Sequence, residues 1–180
     1  SADAQHAAGA WFEAAALEPL GNGHIHGTYL LRPNGNSAER YVLQKINGHV
    51  YCDIPLLVEQ TSQVLAALAA DAVFCATYQV PELIPTRSGE PICAIAGDDE
   101  QQVWRLWRFV EDSMTCDPPT SRQQIRAAAR AFGGYQRAIA VLERASLVET
   151  ISGFLDLASY LDAFDATLGR TELCEREAAA

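Results

Sequence analysis

The chain has 180 residues, and its 13 Lys plus Arg against 23 Asp plus Glu give a formal charge of −10 and a pI near 4.7. That balance argues against a nucleic-acid-binding surface, because phosphate neutralisation needs a basic patch. Apolar residues at 49% and charged residues at 20% are the composition of a folded globular chain, and no stretch reaches the ~18–20 unbroken apolar residues of a membrane helix.

The start, SADAQHAAGAW, shows neither the basic nor the apolar segment of a secretory signal. Residues 12–20 are ambiguous: Ala, Glu and Leu favour helix, but Pro19, Gly21 and Gly23 end any element there. HGTYLLR at 26–32 and RYVLQKI at 40–46 flank Pro33-Asn34-Gly35-Asn36, which predicts a hairpin around an Asn-Gly turn. Residues 53–70 predict a helix, with Ile54, Leu57, Val58, Thr61, Leu65 and Leu68 on one face. Strands at 82–86, 92–96 and 103–110, separated by Ser88-Gly89 and Gly97-Asp98-Asp99, read as an antiparallel meander.

Cys116-Asp117-Pro118-Pro119 then breaks the chain, with Thr120 or Ser121 as the next helix N-cap. Beyond it the periodicity is helical only. Ile125, Ala129, Phe132, Gln136, Ile139 and Val141/Leu142 mark a long amphipathic helix, and 159–168 marks a second, with Leu161, Phe164 and Leu168 on one side. The expected class is α+β, with an amino-terminal lobe at 1–115 and the start of a helical lobe at 116–180.

The five cysteines, Cys52, Cys75, Cys93, Cys116 and Cys174, are scattered and never form a CxxC pair. They read as free thiols in a reducing cytoplasm. His24 and His26 with His49 or Cys52 lack a second, properly spaced ligand pair, which argues against a metal centre. Asp98-Asp99-Glu100 reads as a solvated turn. Trp104, Arg105, Trp107 and Arg108 alternate along a strand; aromatic plus arginine can stack a base, but strand core with an exposed face is the plainer explanation.

The chemistry concentrates in Gly21-Asn22-Gly23-His24-Ile25-His26-Gly27, between two predicted strands. Glycines there let backbone N–H groups approach a phosphate, although a ligand-free turn is the commoner use of such a loop. Lys45 follows among apolar neighbours and calls for an anion, unless it snorkels to water. Glu59 lies inside the next helix and can reach Lys45, or can simply be solvated. Gly-rich hairpin, lysine on the third strand and glutamate on the one helix is the order of a kinase-type amino-terminal lobe. Residues 103–110 then lead into the expected hinge, where Phe109, Val110 and Glu111 offer backbone groups to an adenine edge.

GNGHIHGTYL followed by YVLQKIN resembles the aminoglycoside phosphotransferase family, and within it the N-acetylhexosamine 1-kinase-type sugar kinases. WRLWRFVE, AFGGYQ and ETI followed by Phe154 resemble later blocks of that group, and the similarity spans residues 12–168. The resemblance implies a two-lobed fold, ATP with magnesium, and a small hydroxylated acceptor, a sugar or amino sugar. It makes Lys45 the phosphate-binding lysine and Glu59 its partner, facing each other across the cleft. If the two lie on opposite faces of the sheet, with helix 53–70 packed elsewhere, the kinase-lobe reading fails. It also makes residues 12–20 the first strand, against propensity.

The family's catalytic loop, His-[Gly/Asn]-Asp followed by Asn and then Asp-x-Asp, has no counterpart. No His follows His49 and no Asn follows Asn47, while Asp156, Asp162 and Asp165 lie in helical patterns. Catalytic base and magnesium ligands are therefore expected outside these residues, and the chain alone is expected to be inactive. The alternative is a non-catalytic binding module that keeps the fold. An apolar surface around Phe132, Tyr135, Ile139 and Phe154, left open without a complete second lobe, is expected to pair two copies of the chain.

Overall fold

The computed structural model describes residues 1–180 except 22, 24, 35–37, 98–100, 115–117, 144–146, 152 and 179–180, and side chains up to residue 169. The chain divides into two compact units, Ser1–Val148 and Glu149–Ala180.

The first unit is built on an antiparallel sheet. Its strands are β1 (Ala15–Pro19), β2 (Gly27–Pro33), β3 (Tyr41–Ile46), β4 (Leu83–Ile84), β5 (Cys93–Ala96) and β6 (Gln101–Arg108). The order is β1-β2-β3-β6-β4, with β5 also on β6. Residues 12–20 therefore do contain the first strand, because pairing with β2 overrides the helical propensity of its Ala, Leu and Glu. The hairpin of β2 and β3 forms as read, with Gly27 opposite Lys45 and Leu31 opposite Tyr41; Gly35 and Asn36 of its turn lie outside the described residues.

The expected meander is corrected. β4 and β5 do not pair with each other but lie end to end along the same edge of β6, Ile84 opposite Leu106 and Cys93 opposite Trp104. They form one edge strand interrupted by the excursion 85–92. Thr86 closes that excursion, its N–H donating to the Glu90 carbonyl at 2.8 Å and its hydroxyl accepting from the Glu90 N–H at 3.0 Å. Gly89 at the tip has φ +89°, a conformation that favours glycine.

Each face of the sheet is covered. On one, Leu31, Leu43 and Leu106 are wholly buried with Trp104, and α1 (Ala2–Ala8) lies over them through Ala4, Ala7 and Ala8. Alanine methyls let this helix approach closely, and each buried leucine stabilises the core by about 1.5–3 kcal/mol. On the other face, Ile46 and Val103 meet Val58, Ile54 and Leu57 of α2 (Ile54–Ala70). Asp53 caps α2, accepting from the Leu56 N–H at 2.9 Å.

A short helix α3 (Ala72–Cys75) follows, and α4 (Arg122–Ile139) packs on α2 and α3 around Leu68, Phe74 and Ala138. Ser121 forms a capping box with Gln124 at its start. The buried stripe of α4 runs through Ala131, Gly134, Tyr135 and Ala138, turned away from the expected stripe, of which Ile125 and Phe132 are exposed. Tyr135 and Ile139, expected on an open face, instead pack against this helical cluster. In the second unit, α5 (Leu157–Ala178) presents Leu161, Phe164 and Leu168 as exposed side chains.

Candidate functional site

The glycine-rich segment joins β1 to β2. Gly21 has φ +77° with open space around it, and Gly23 is likewise open; Asn22 and His24 lie outside the described residues. Lys45 is half-buried and, with Ile25, Gly27, Asn47 and His49, lines a recess of about 300 Å³ beneath this segment.

The structure does not bring Lys45 and Glu59 together. Facing residues of an antiparallel pair share a face, and successive residues alternate. Lys45 opposes Trp104, which is buried against α1, and it alternates with Leu43 and Tyr41 of the same cluster. α2 lies on the opposite face, against Ile46 and Val103. Glu59 is exposed and accepts from Gln63 Nε2 at 3.3 Å. The expected pair is thus corrected by strand parity, and it no longer supports a kinase-type lobe.

What strand parity does place on the α2 face is the row Gln44, Arg105, Val42 and Trp107. Arg105 donates from Nε to Gln44 Oε1 at 2.8 Å, and its guanidinium lies 5.1 Å from the centre of the Trp107 ring. Burial lowers its pKa, offset in part by Tyr51. Among the described residues no carboxylate pairs with it. His26 stacks on Tyr51 with ring centres 5.5 Å apart, and its Nδ1 accepts from the Asn47 N–H at 3.2 Å. Burial first and the Arg105 charge second push the His26 pKa below its usual value, against a bond to the Lys45 backbone. His26 is therefore neutral at pH 7.

The same face continues toward the hinge through Leu30 and Arg32 of β2. Arg32 Nη1 is buried and has no hydrogen-bond partner among the described residues. Beyond β6, the Phe109 N–H donates to the Arg40 carbonyl at 3.0 Å, and the Val110 carbonyl accepts from Ser113 Oγ at 2.6 Å. Glu111 pairs with Arg40, which holds the carboxyl below its usual range, and the Arg40 guanidinium lies 4.2 Å from the Phe109 ring centre. Two of the expected hinge groups, the Phe109 N–H and the Val110 carbonyl, thus already have protein partners.

Another cavity, of about 600 Å³, lies between α2 and residues 80–91 and is lined by apolar groups with Glu82. Its one charged lining residue is an acid, which disfavours phosphate. Among the described residues no three His, Cys, Asp or Glu side chains approach closely enough to hold a metal ion. Cys52 and Cys75 are free and exposed, and Cys93 is free and half-buried, its thiol pushed up by burial. No described helix is long and apolar enough to cross a membrane.

Sequence reading missed Gln44 and Arg32 altogether, and took the Arg105–Trp107 stretch as strand core plus an exposed face. The available signal was an arginine with apolar neighbours at both i−2 and i+2, Val103 and Trp107.

No protein-family profile matches the chain. Its structure is similar to that of a microcompartment-associated aminopropanol kinase, with a TM-score of 0.64 at 18% sequence identity. The match covers 82% of this chain and 43% of the solved kinase, so the chain spans about half the length of that protein. The fold is kinase-like: an antiparallel sheet with a packed helix, followed by further helices.

Proposed function

We propose that this chain is the nucleotide-binding portion of an ATP-dependent small-molecule phosphotransferase of the aminoglycoside phosphotransferase type, with a sugar or amino sugar as acceptor. The observation that carries the reading is a kinase-like lobe whose α2-side face holds a half-buried guanidinium, Arg105, with no carboxylate paired to it among the described residues. A buried cation without an acid is costly unless an anion arrives, and a nucleotide supplies one. The base would lie on Leu30, Val42 and Trp107 near Phe109–Glu111, with the phosphates toward the glycine-rich segment. Magnesium, when present, would neutralise phosphate charge, but its ligands are not found among the described residues.

The competing reading is a binding module without catalysis, favoured by the separation of Lys45 from Glu59 onto opposite faces. Calorimetric titration of the 180-residue chain with ATP separates the chain's binding role from no role at all: saturable binding is expected, and none with or without magnesium would refute the nucleotide assignment. Transfer from ATP to a panel of hexosamines is expected to be undetectable for this chain, because the sequence holds no counterpart of the family's catalytic loop.

A further inference from the structure

We propose that Arg105, oriented by Gln44, is the cation that takes the phosphoryl groups of the bound nucleotide, in place of Lys45. The inference rests on the nucleotide reading above and assigns its phosphate subsite.

The first argument is the choice of face. α2 packs on the face of the sheet that carries Ile46 and Val103, and Val42, Trp107, Gln44 and Arg105 share that face, while Lys45 lies on the α1-side face. The second argument is the state of the guanidinium. Arginine keeps its charge in proteins, so enclosure cannot be relieved by losing a proton. Arg40, Arg108 and Arg137 sit nearer the surface and have carboxylate partners in Glu111, Glu82 with Glu39, and Asp71. Arg105 is the more enclosed, and its described partner is a neutral amide.

Gln44 engages Nε and thereby sets the plane of the fork, leaving the Nη groups for a planar or tetrahedral oxyanion. His26 adds a second donor. Its Nδ1 is occupied as an acceptor, so the neutral ring carries its proton on Nε2.

The third argument is spacing. Along one strand, same-face residues are about 6.5–7 Å apart. Trp107 and Val42 precede Arg105 and Gln44 by one such step from the hinge, and the glycine-rich segment enters β2 where Thr28 opposes Gln44. The order is hinge, apolar platform, cation, glycine-rich segment. That is the order of base, ribose and phosphates.

The test is calorimetric titration of the full chain with ATP, adenosine and inorganic tripolyphosphate, in the wild type and in Arg105→Gln, Gln44→Glu and Lys45→Ala. Gln44→Glu keeps Arg105 but gives it an internal carboxylate, so it does not depend on tolerance of a lost cation. Arg105→Gln and Gln44→Glu are each expected to weaken ATP about 10- to 100-fold, the size of a lost charge-assisted bond. Adenosine should stay within about twofold in both, and Lys45→Ala should leave ATP within about twofold.

If instead Lys45→Ala weakens ATP while both other variants bind it as the wild type does, the phosphate assignment is overturned and the nucleotide reading stands. If the wild type binds tripolyphosphate but not ATP, and Arg105→Gln abolishes that binding, the oxyanion site is upheld and the nucleotide reading fails. Absence of binding of either ligand by the wild type overturns both.

Discussion

His26 and Arg105 show how neighbouring residues set each other's charge. The neutral imidazole can lie beside the guanidinium because burial and that positive charge both disfavour its protonated form. In the unfolded chain the ring titrates near 6.5, and in the folded chain below it. The contribution of this shift to folding stability is therefore fully present above pH 6.5. It falls as pH drops from 6.5 toward the folded value, because the unfolded state takes up the proton first. Melting curves of the wild type and His26→Asn between pH 8 and 5 are expected to converge at the acid end, the wild type losing more.

Leu43 tests the opposite face. It is wholly buried between α1 and the sheet, so Leu43→Ala is expected to cost about 2–5 kcal/mol in urea unfolding. A loss under 1 kcal/mol would mean that α1 is not seated on that face.

At the level of elements, most strands and both longer helices of the first unit were legible from periodicity, because β-favouring runs and a 3.6-residue stripe are local properties. The face that each residue occupies was not. Alternation splits β3 into Tyr41-Leu43-Lys45 and Val42-Gln44-Ile46, and both sets are largely apolar because both faces are covered. Only the positions of α1 and α2 decide between them. α1 is seven residues long with alanine as its buried type, which gives almost no periodic signal.

The broken edge strand was hidden for a related reason. The turn at Ser88-Gly89 looks the same in sequence whether its flanks pair with each other or both pair with β6.

The buried stripe of α4 was misread because Phe132 outweighs glycine on any hydrophobic count, yet Gly134 is the residue at the contact. A methyl at Gly134 would stand 3.2 Å from Tyr78 Cε2, whereas one at Gly133 meets nothing within 4 Å. Gly133→Ala is accordingly expected to stabilise by about 0.5–1 kcal/mol through helix propensity. Gly134→Leu should destabilise by about 1–3 kcal/mol through overpacking against α3. Chemical denaturation of the two variants checks the register of α4; equal effects would refute it.

For the whole molecule, the kinase-like class followed from the order of elements, and the structural likeness bears it out. The two compact units each carry exposed apolar side chains, Phe132 at 62% in the first and Phe154 at 60% in the second. Light scattering on the intact chain is expected to give twice the monomer mass at high concentration, and Phe132→Ser to shift the balance toward monomer.

The stacking of Arg105 on Trp107 has an optical consequence. Of the three tryptophans, Trp11 and Trp104 are sealed in the α1-side core, and Trp107 is half-buried on the other face, under a guanidinium. Emission sensitive to added acrylamide should come from Trp107 alone. A phosphate that draws the guanidinium away would change the electric field across that one indole, and with it the colour of its fluorescence. The unlabelled protein would thus report occupancy of its own site, and Trp107→Phe would silence the signal.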